Sequence, residues 1–252
     1  MPSEDQSAGS GAVRVGVVIP VHNEEHQLLA ALQAVDRAMR GISTQCRESR
    51  LVVVLDDCVD RSAAVVDSWR NEATTGAVEV IAVRARNVGL ARRTGCAALL
   101  EHWSTTAADD IWLATTDADS EVPANWLAAQ VRARDAGAHV WVGPVEVGCW
   151  DERASGTADE WCRRYALEQL PVHGANFGVD AAMYLRTGGF EDRVTGEDRD
   201  LLNRLLVHGA VARAEPSVRV VTSGRRHARA PHGFAQALLA IEQSLPVTAV
   251  AS

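Results

Sequence analysis

The chain contains no lysine, since all 25 of the basic residues among its 252 residues are arginines. This absence excludes a P-loop Gly-Lys-Ser/Thr motif, a Schiff-base lysine for pyridoxal phosphate and a kinase-type lysine that binds nucleotide phosphates. Any phosphate group that the protein binds must therefore be neutralised by arginine or by a metal ion.

Other classes of protein are excluded by charge, hydropathy and cysteine usage. The formal net charge of −8 at pH 7 argues against a general nucleic-acid-binding protein. No apolar run reaches the ~20 residues that span a bilayer, and residues 1–12 lack the features of a signal peptide, so we predict a disordered leader there. The five cysteines are odd in number and never spaced Cys-x-x-Cys. These features favour buried thiols in a reducing cytoplasm over disulfides or a zinc ribbon.

The hydrophobic pattern predicts an α/β domain, because continuous apolar runs alternate with segments of helical spacing. The predicted strands are Val13–Pro20, Leu51–Leu55, Val78–Val83 and Ile111–Thr115. The helices between and after them are predicted at Glu24–Arg40, Ser62–Arg70, Leu90–Trp103 and from Pro123 to before Gly137. Continuous rather than alternating apolar strands are typical of a mostly parallel sheet that is covered by helices on both faces.

After His139 the pattern becomes less regular. We predict strands at Val140–Val147, near Phe177–Leu185 and at Val218–Val221. We predict helices around Asp159–Gln169 and at Glu197–Val207.

Polar clusters follow each of the first four strands. They are His22-Asn23-Glu24-Glu25, Asp56-Asp57, Arg86-Asn87-Val88-Gly89 and Asp117-Ala118-Asp119. Ligands bind at the carboxyl edge of parallel sheets. Helix capping is an alternative explanation for each single cluster, but it accounts for one side chain per helix rather than for carboxylate doublets. Taken together, the clusters indicate a ligand site.

The Asp117-Ala118-Asp119 segment is the most informative cluster. In an extended chain, residues two apart point to the same side, so both carboxylates can engage one cation. Mg²⁺ is usually held by one or two carboxylates and by phosphates of the substrate.

The motifs in their order along the chain resemble the family 2 glycosyltransferases, which have the GT-A fold. The segments that carry the resemblance are Val17–Glu25, Val54–Asp60, Arg86–Arg92, Thr116–Ser120, Gly174–Phe177, Gly188–Phe190 and Gly196–Asp198. The resemblance extends from about Val13 to Arg226. It implies a mostly parallel central sheet flanked by helices, with a Rossmann-like half that binds a nucleotide sugar and a smaller acceptor-side half.

The resemblance also implies domain limits and a donor site. One GT-A domain is expected over residues 13–228, with the nucleotide-sugar-binding half at 13–122, the acceptor-side half at 123–228 and a C-terminal tail at 229–252. The residues expected to bind the nucleoside-diphosphate sugar are Pro20, His22, Asn23, Glu24, Asp56, Asp57, Arg86, Asn87, Gly89, Arg92, Asp117 and Ala118.

The remaining implied roles concern the metal, the acceptor and the base. Asp119 is expected to bind Mg²⁺ or Mn²⁺, with His227 or His232 as a further ligand. Gly174 and Asn176 are expected on the acceptor side, with His173 as an additional candidate.

In inverting members of the family, the residue that corresponds to Asp198 is the general base, here with support from Glu197. First-turn acids that complement a helix dipole are the structural alternative for this pair.

The expected activity is the transfer of one sugar to an acceptor hydroxyl, since the Gln-x-x-Arg-Trp signature and the membrane helices of processive synthases are both lacking. Two alternatives remain open from the sequence: a retaining transferase on the same scaffold, and a non-catalytic protein that binds nucleotide sugars. A sugar-nucleotide pyrophosphorylase is disfavoured, because the early glycine-rich loop and the lysine of that class are missing.

Overall fold

A seven-stranded sheet is the centre of the computed structural model, which describes residues 13–73, 77–167, 170–226 and 233–245. The strands are β1 (Arg14–Val21), β2 (Glu48–Asp56), β3 (Ala77–Val83), β4 (Ile111–Thr115), β5 (Ser120–Glu121), β6 (Val140–Val142), β7 (Val145–Val147), β8 (Phe177–Asp180), β9 (Ala212–Arg213) and β10 (Val220–Thr222). The helices are α1 (Leu28–Gly41), α2 (Ser62–Arg70), α3 (Val88–His102), α4 (Trp126–Asp135), α5 (Thr157–Tyr165), α6 (Ala181–Arg186), α7 (Glu197–Val207) and α8 (Phe234–Ser244).

The strand order in the central sheet is β3-β2-β1-β4-β8-β6-β9. Strands β3, β2, β1 and β4 run parallel to one another, whereas β8 runs antiparallel to both of its neighbours. A second sheet of three strands has the order β5-β10-β7. The predicted fold class, a mostly parallel central sheet flanked by helices, is confirmed. As a result, the carboxyl ends of four parallel strands lie at one edge.

The central strands are buried on both faces. Val17 and Ile19 of β1 pack with Leu32 of α1 in one buried cluster. Val18, which points to the opposite face, packs with Leu99 of α3 in the other. Successive side chains of a strand alternate between faces, so a strand covered twice needs an unbroken apolar run. This burial explains the valine-rich segments in the sequence.

Two sequence predictions need correction. The predicted strand Val140–Val147 is two strands in different sheets, interrupted at Gly143 and Pro144. The predicted strand near Phe177–Leu185 ends at Asp180, whose carboxylate accepts a hydrogen bond from the Met183 N–H at 3.0 Å and caps α6. The two-residue strands β5 and β9 were not predicted, because no hydrophobic pattern extends over so few residues.

Asn176 is a fully buried structural connection between these segments. Its Oδ1 accepts hydrogen bonds from the indole N–H groups of Trp126 and Trp141, both at 2.9 Å. Its Nδ2 donates to the backbone oxygens of Pro144 and Val218, both at 3.0 Å. One carboxamide therefore holds α4, β6 and the two chain segments that lead into β7 and β10.

Part of the predicted C-terminal tail is a packed helix. Within α8, Ala235, Leu238 and Ile241 are buried, and the buried Arg153 forms an ion pair with Glu242 at 3.7 Å. The predicted leader, residues 1–12, lies outside the described residues. None of the helices in the described parts of the chain has the length and apolar character that a bilayer crossing requires.

Replacing Asn176 tests this packing role. Asn176→Leu keeps the approximate volume but removes the hydrogen-bond acceptor of two buried indole N–H groups and the side-chain donor to the Val218 carbonyl, while the Pro144 carbonyl keeps its hydrogen bond from the Val220 N–H. We expect the free energy of unfolding to fall by at least about 3 kcal/mol. Urea denaturation measures the change, and Asn203→Leu on the exposed side of α7 is the matched control, with an expected change within about 0.5 kcal/mol. A loss below about 1 kcal/mol in Asn176→Leu would contradict the role.

Candidate active site

A cavity of about 690 Å³ opens at the carboxyl edge of the four parallel strands, and this volume is typical of small-molecule sites. The charged residues that line it within the described parts of the chain are Glu24, Asp56, Asp117, Asp119, Glu197, Asp198, Arg86, Arg92, Arg199 and Arg225. Six carboxylates thus face four arginines. The excess of negative charge favours a ligand that brings positive charge with it.

The loops beside the cavity contain strained backbone. Asn23, Asp57 and Arg86 have φ angles of +56°, +49° and +49°, in the left-handed region that residues other than glycine rarely adopt. Asn and Asp tolerate this conformation better than Arg does. All three residues follow the carboxyl ends of β1, β2 and β3. Such conformations persist only where the surrounding contacts impose them, and they concentrate at functional sites.

The carboxylate of Asp56 imposes the conformation of the loop between β3 and α3. Only 3% of this residue is exposed, and its oxygens accept hydrogen bonds from the backbone N–H groups of Ala85, Arg86 and Asn87 at 2.7, 2.9 and 2.7 Å. The neighbouring Asp57 accepts a hydrogen bond from Arg86 Nε at 2.6 Å. These contacts hold the Arg86-Asn87 segment at the cavity.

The loop after β1 is fixed by contacts to the loop after β2. His22 Nδ1 donates a hydrogen bond to the backbone oxygen of Asp56 at 2.6 Å. Asn23 Oδ1 accepts one from the Val59 N–H at 2.8 Å. Because His22 lines the cavity and Asn23 does not, the first can reach a ligand and the second stabilises the loop.

The Asn87-Val88-Gly89 segment contacts residues 191–193, which precede α7. Asn87 Oδ1 caps α3 by accepting a hydrogen bond from the Leu90 N–H at 2.9 Å, and its Nδ2 donates to Asp192 at 2.5 Å. Gly89 lies so close to the backbone of Glu191 and Arg193 that a Cβ atom would collide with both. A glycine is therefore required at this crossing.

Arg92 is the buried centre of an acid–arginine–acid bridge. It is 2% exposed and forms ion pairs with Asp117 and Glu197. Gly174 packs against its guanidinium with no room for a side chain. The charge of Arg92 therefore links β4 to α7 and is not an unpaired cation for a phosphate group.

Arg225 forms a second bridge of the same kind. Its Nη1 lies 2.7 Å from Glu24 Oε2 and its Nη2 lies 2.9 Å from Asp119 Oδ2. Its pairing with Glu24 joins positions 201 residues apart, so no local pattern predicts it.

The Asp117 and Asp119 side chains meet the cavity but are otherwise enclosed by protein. Burial raises the pKa of both carboxyls above the usual range for Asp. Neighbouring carboxylates act in the same direction: Asp119 and Asp198 on Asp117, and Glu24 on Asp119. Arg92 and Arg225 oppose this effect only in part, so a further cation would stabilise the ionised forms.

Asp198 lies at the start of α7 with both carboxylate oxygens oriented. Oδ2 accepts a hydrogen bond from the Gly174 N–H at 2.7 Å, and Oδ1 accepts one from the Arg199 N–H at 2.7 Å. The adjacent Glu197 is buried and directed to Arg92. The two acids therefore differ in environment, since backbone N–H groups orient Asp198 whereas an ion pair with Arg92 holds Glu197.

The cavity gathers most of the residues predicted from the sequence. Those that line it are Pro20, His22, Glu24, Asp56, Arg86, Asn87, Arg92, Asp117, Ala118, Asp119, Gly174, Glu197 and Asp198. Asn23, Asp57 and Gly89 shape its loops from outside the lining. The structure does not bring Asn176 to the cavity, and its carboxamide is saturated by structural hydrogen bonds. His227 and His232 lie outside the described residues.

The sequence did not predict the contribution of α8 to the cavity. Phe234, Ala235 and Ala237 line it, although this segment was assigned to a tail. The amphipathic pattern of the segment was the available signal, since a helix with one apolar face must cover another surface.

The acids that follow β4 can hold a hard divalent cation only if other groups complete its coordination. Within residues 13–73, 77–167, 170–226 and 233–245, no group of three or more His, Cys, Asp or Glu side chains is placed to hold a metal ion. Asp117 and Asp119 offer oxygen ligands in a region with excess negative charge. This donor set suits Mg²⁺ or Mn²⁺ that receives its remaining ligands from substrate phosphates and water.

Several solved structures have a fold similar to that of this chain. The mannosyltransferase PcManGT from Pyrobaculum calidifontis, in complex with GDP-Man and Mn²⁺, has a TM-score of 0.63 and 19% identity over 86% of this chain and 58% of that chain. S. aureus TarS has a TM-score of 0.59 and 12% identity over 84% of this chain and 37% of that chain. The chain therefore spans less than two thirds of the length of either protein.

Glucosyl-3-phosphoglycerate synthase from Mycobacterium tuberculosis, in complex with Mn²⁺, UDP and phosphoglyceric acid, has a TM-score of 0.54 and 14% identity, over 96% of this chain and 82% of that chain. A comparison of the sequence with curated proteins finds no match. The family model "Glycosyl transferase family 2" matches residues 16–192, which is more than half of the chain. The protein belongs to glycosyltransferase family 2.

Proposed function

We propose that the protein transfers one sugar from a nucleoside-diphosphate sugar to an acceptor hydroxyl, with inversion at the anomeric carbon. The observation that carries this proposal is the position of Asp198, which lines the same cavity as Asp117 and Asp119. A carboxylate with oriented oxygens thus lies beside acids suited to a metal–diphosphate group. Membership of the glycosyltransferase family supports the same reaction type.

The donor would occupy the loops that follow β1 to β4. Pro20, His22, Arg86 and Asn87 line the part of the cavity formed by the first three loops, where the nucleoside would bind. Asp56 contributes indirectly, because its carboxylate keeps the Arg86-Asn87 backbone in place.

Asp119, with Asp117 beside it, would hold Mg²⁺ or Mn²⁺ together with the donor diphosphate. When bound, such an ion neutralises the negative charge that develops on the leaving diphosphate. The complexes of PcManGT with GDP-Man and Mn²⁺ and of the mycobacterial synthase with Mn²⁺ and UDP support this assignment. Arg225 already contacts Asp119 and Glu24, and its planar guanidinium can donate to phosphate oxygens as well.

Asp198 would accept the proton of the acceptor hydroxyl as the oxygen attacks the anomeric carbon. The N–H group of Gly174 directs one carboxylate oxygen. Glu197 is not placed to act as this base, because its carboxylate forms an ion pair with Arg92. Its role is to anchor the first turn of α7, and with it Asp198, to the donor side of the cavity.

Asp119→Asn tests the donor site. A thermal-shift panel of UDP-, GDP- and TDP-sugars with Mn²⁺ should raise the Tm of the unmodified protein for the matching donor only, by ligand linkage. We expect Asp119→Asn to weaken binding of this donor at least about tenfold, because the substitution removes a carboxylate that would hold the ion. Asp67→Asn on the exposed side of α2 is the control, and an unchanged donor shift in Asp119→Asn would contradict the assignment.

Asp198→Asn tests the base. We expect the rate of nucleoside-diphosphate release, with water or an added alcohol as acceptor, to fall about 10²- to 10⁴-fold, while the donor-induced Tm shift is retained. Asp135→Asn, at an exposed position of α4, should leave both readouts unchanged.

The anomeric proton of the product, observed by NMR, reports the stereochemistry. Retention would refute the inverting assignment. Donor binding without turnover in the unmodified protein would indicate a nucleotide-sugar-binding protein.

Arg92→Met tests the anchor between the donor side and α7. The change leaves Asp117 and Glu197 without their shared partner, so we expect the free energy of unfolding to fall by about 3–5 kcal/mol. Denaturant titration measures this loss. Arg132→Met is the matched control, since Arg132 is 58% exposed and contacts Glu215 at 3.6 Å, and its removal should cost less than about 1 kcal/mol.

A further inference from the structure

Four aromatic side chains form a continuous wall, and one of them, His173, lies near Asp198. We call Trp161, Tyr165, His173 and Phe234 the aromatic wall. Two of them, His173 and Phe234, line the cavity. The aliphatic side chains of Val145 and Val172 line it as well, so this part of the site is apolar where the donor part is charged.

The aromatic wall is held together by its own packing. The ring centroids of Trp161 and Tyr165 lie 4.8 Å apart in a stacked arrangement, and those of Trp161 and Phe234 lie 5.0 Å apart edge to face. His173 lies 5.6 Å from Tyr165 and 5.9 Å from Phe234. These distances are within the range of favourable aromatic pairs. Tyr165 also accepts a hydrogen bond from the Val145 N–H at 2.8 Å, which fixes the wall to the start of β7.

His173 brings an unsatisfied polar atom to this wall. Its Nε2 is buried and has no hydrogen-bond partner among the described residues. Burial lowers the pKa of His173 to about 4, so the imidazole is neutral at pH 7 and one ring nitrogen can accept a hydrogen bond while the other donates. A buried polar atom without a partner is unfavourable unless a ligand satisfies it.

The position of His173 links this atom to the proposed chemistry. Gly174, the next residue, donates its N–H to Asp198 Oδ2 at 2.7 Å. The unsatisfied imidazole and the carboxylate that would take the acceptor proton are therefore attached to the same short backbone segment. A molecule that presents its hydroxyl to Asp198 would have its neighbouring groups beside His173 and Phe234.

The charges around the wall indicate an uncharged occupant. The charges with the largest effect on the pKa of His173 are those of Asp198 and Arg199, which have opposite signs. The imidazole itself is neutral, and the adjacent lining from Val145, Val172 and Phe234 is apolar. An anionic acceptor would gain no net positive charge here and would meet the Asp198 carboxylate.

We propose that His173 hydrogen-bonds the acceptor, and that the acceptor is an uncharged hydroxyl compound with an apolar face that packs on Phe234 and Val172. This inference rests on the proposed transferase function and assigns the acceptor class for the same cavity. His173 is then a specificity-determining residue, and Asp198 is the base for the hydroxyl that His173 helps to orient.

Steady-state kinetics with chosen acceptors test the inference in the full chain. The donor is the nucleotide sugar that the thermal-shift panel identifies, with Mn²⁺. The uncharged probes are 4-nitrophenyl and octyl glycosides, and the comparison probes are methyl glycosides, which lack the apolar group, and glucose 6-phosphate, which is anionic. We expect the 4-nitrophenyl and octyl glycosides to have the lowest KM.

Variants separate the hydrogen bond from the packing. His173→Phe keeps a ring in the wall but removes the nitrogen, so we expect the KM of the preferred acceptor to rise about fivefold to tenfold, with the donor KM changed less than twofold. His173→Gln, which restores a polar atom, should recover part of the loss. His208→Phe, at an exposed position after α7, is the control and should change neither KM.

The outcomes distinguish the two proposals. The inference on His173 is overturned if glucose 6-phosphate is the preferred acceptor, if no uncharged acceptor competes with water, or if neither His173 variant changes the acceptor KM. Each of these results leaves donor binding and turnover, and therefore the transferase proposal, intact. If no nucleotide sugar shifts the Tm or is turned over, the transferase proposal itself fails.

Discussion

The site depends on the neutralisation of crowded carboxylates by two arginines. Four parallel strands end at one edge of the sheet, and the acids that follow them would repel one another there. Arg92 bridges Asp117 and Glu197, and Arg225 bridges Glu24 and Asp119. In each case, removal of the arginine would leave two enclosed carboxylates without compensation, which costs more than the ion pairs contribute in isolation.

The two bridges also explain why a chain without lysine can form this site. A guanidinium is planar and carries several N–H donors in a fixed arrangement, so one side chain can bind two carboxylates at once. Each bridge connects elements that are distant in sequence: α3, β4 and α7 through Arg92, and the segments after β1, β4 and β10 through Arg225. The same two arginines therefore neutralise the acids of the cavity and hold distant parts of the chain together.

The parts of the fold that could be predicted from the sequence are those whose burial leaves a clear hydrophobic pattern. Strands β1 to β4 were recognisable because both of their faces are covered, and the helix Glu197–Val207 begins and ends at the predicted residues. The segment Val140–Val147 was wrongly predicted as one strand, because its valines are buried in both sheets. Only Gly143 and Pro144 mark the change of partner strands. Helix α8 was not predicted, because this segment was assigned to the C-terminal tail and one apolar face does not reveal which surface it covers.

The predictability of the site had a different limit. The acid clusters were found because they follow strands whose ends must converge. Asn176 was misplaced, since the sequence does not show whether a carboxamide faces a ligand or four buried structural partners. The pairing of Arg225 with Glu24 and the positive φ of Arg86 arise from tertiary contacts, which have no local signature.

The charged lining and the apolar lining of the cavity come from different parts of the chain. The loops that follow β1 to β4 form the charged side, whereas Phe234 reaches the site from a helix near the end of the described chain. Substitutions in that helix can remodel the apolar side while the acids and their arginines stay in place. Under the proposed function, acceptor specificity can therefore change while the residues proposed to bind the donor stay the same.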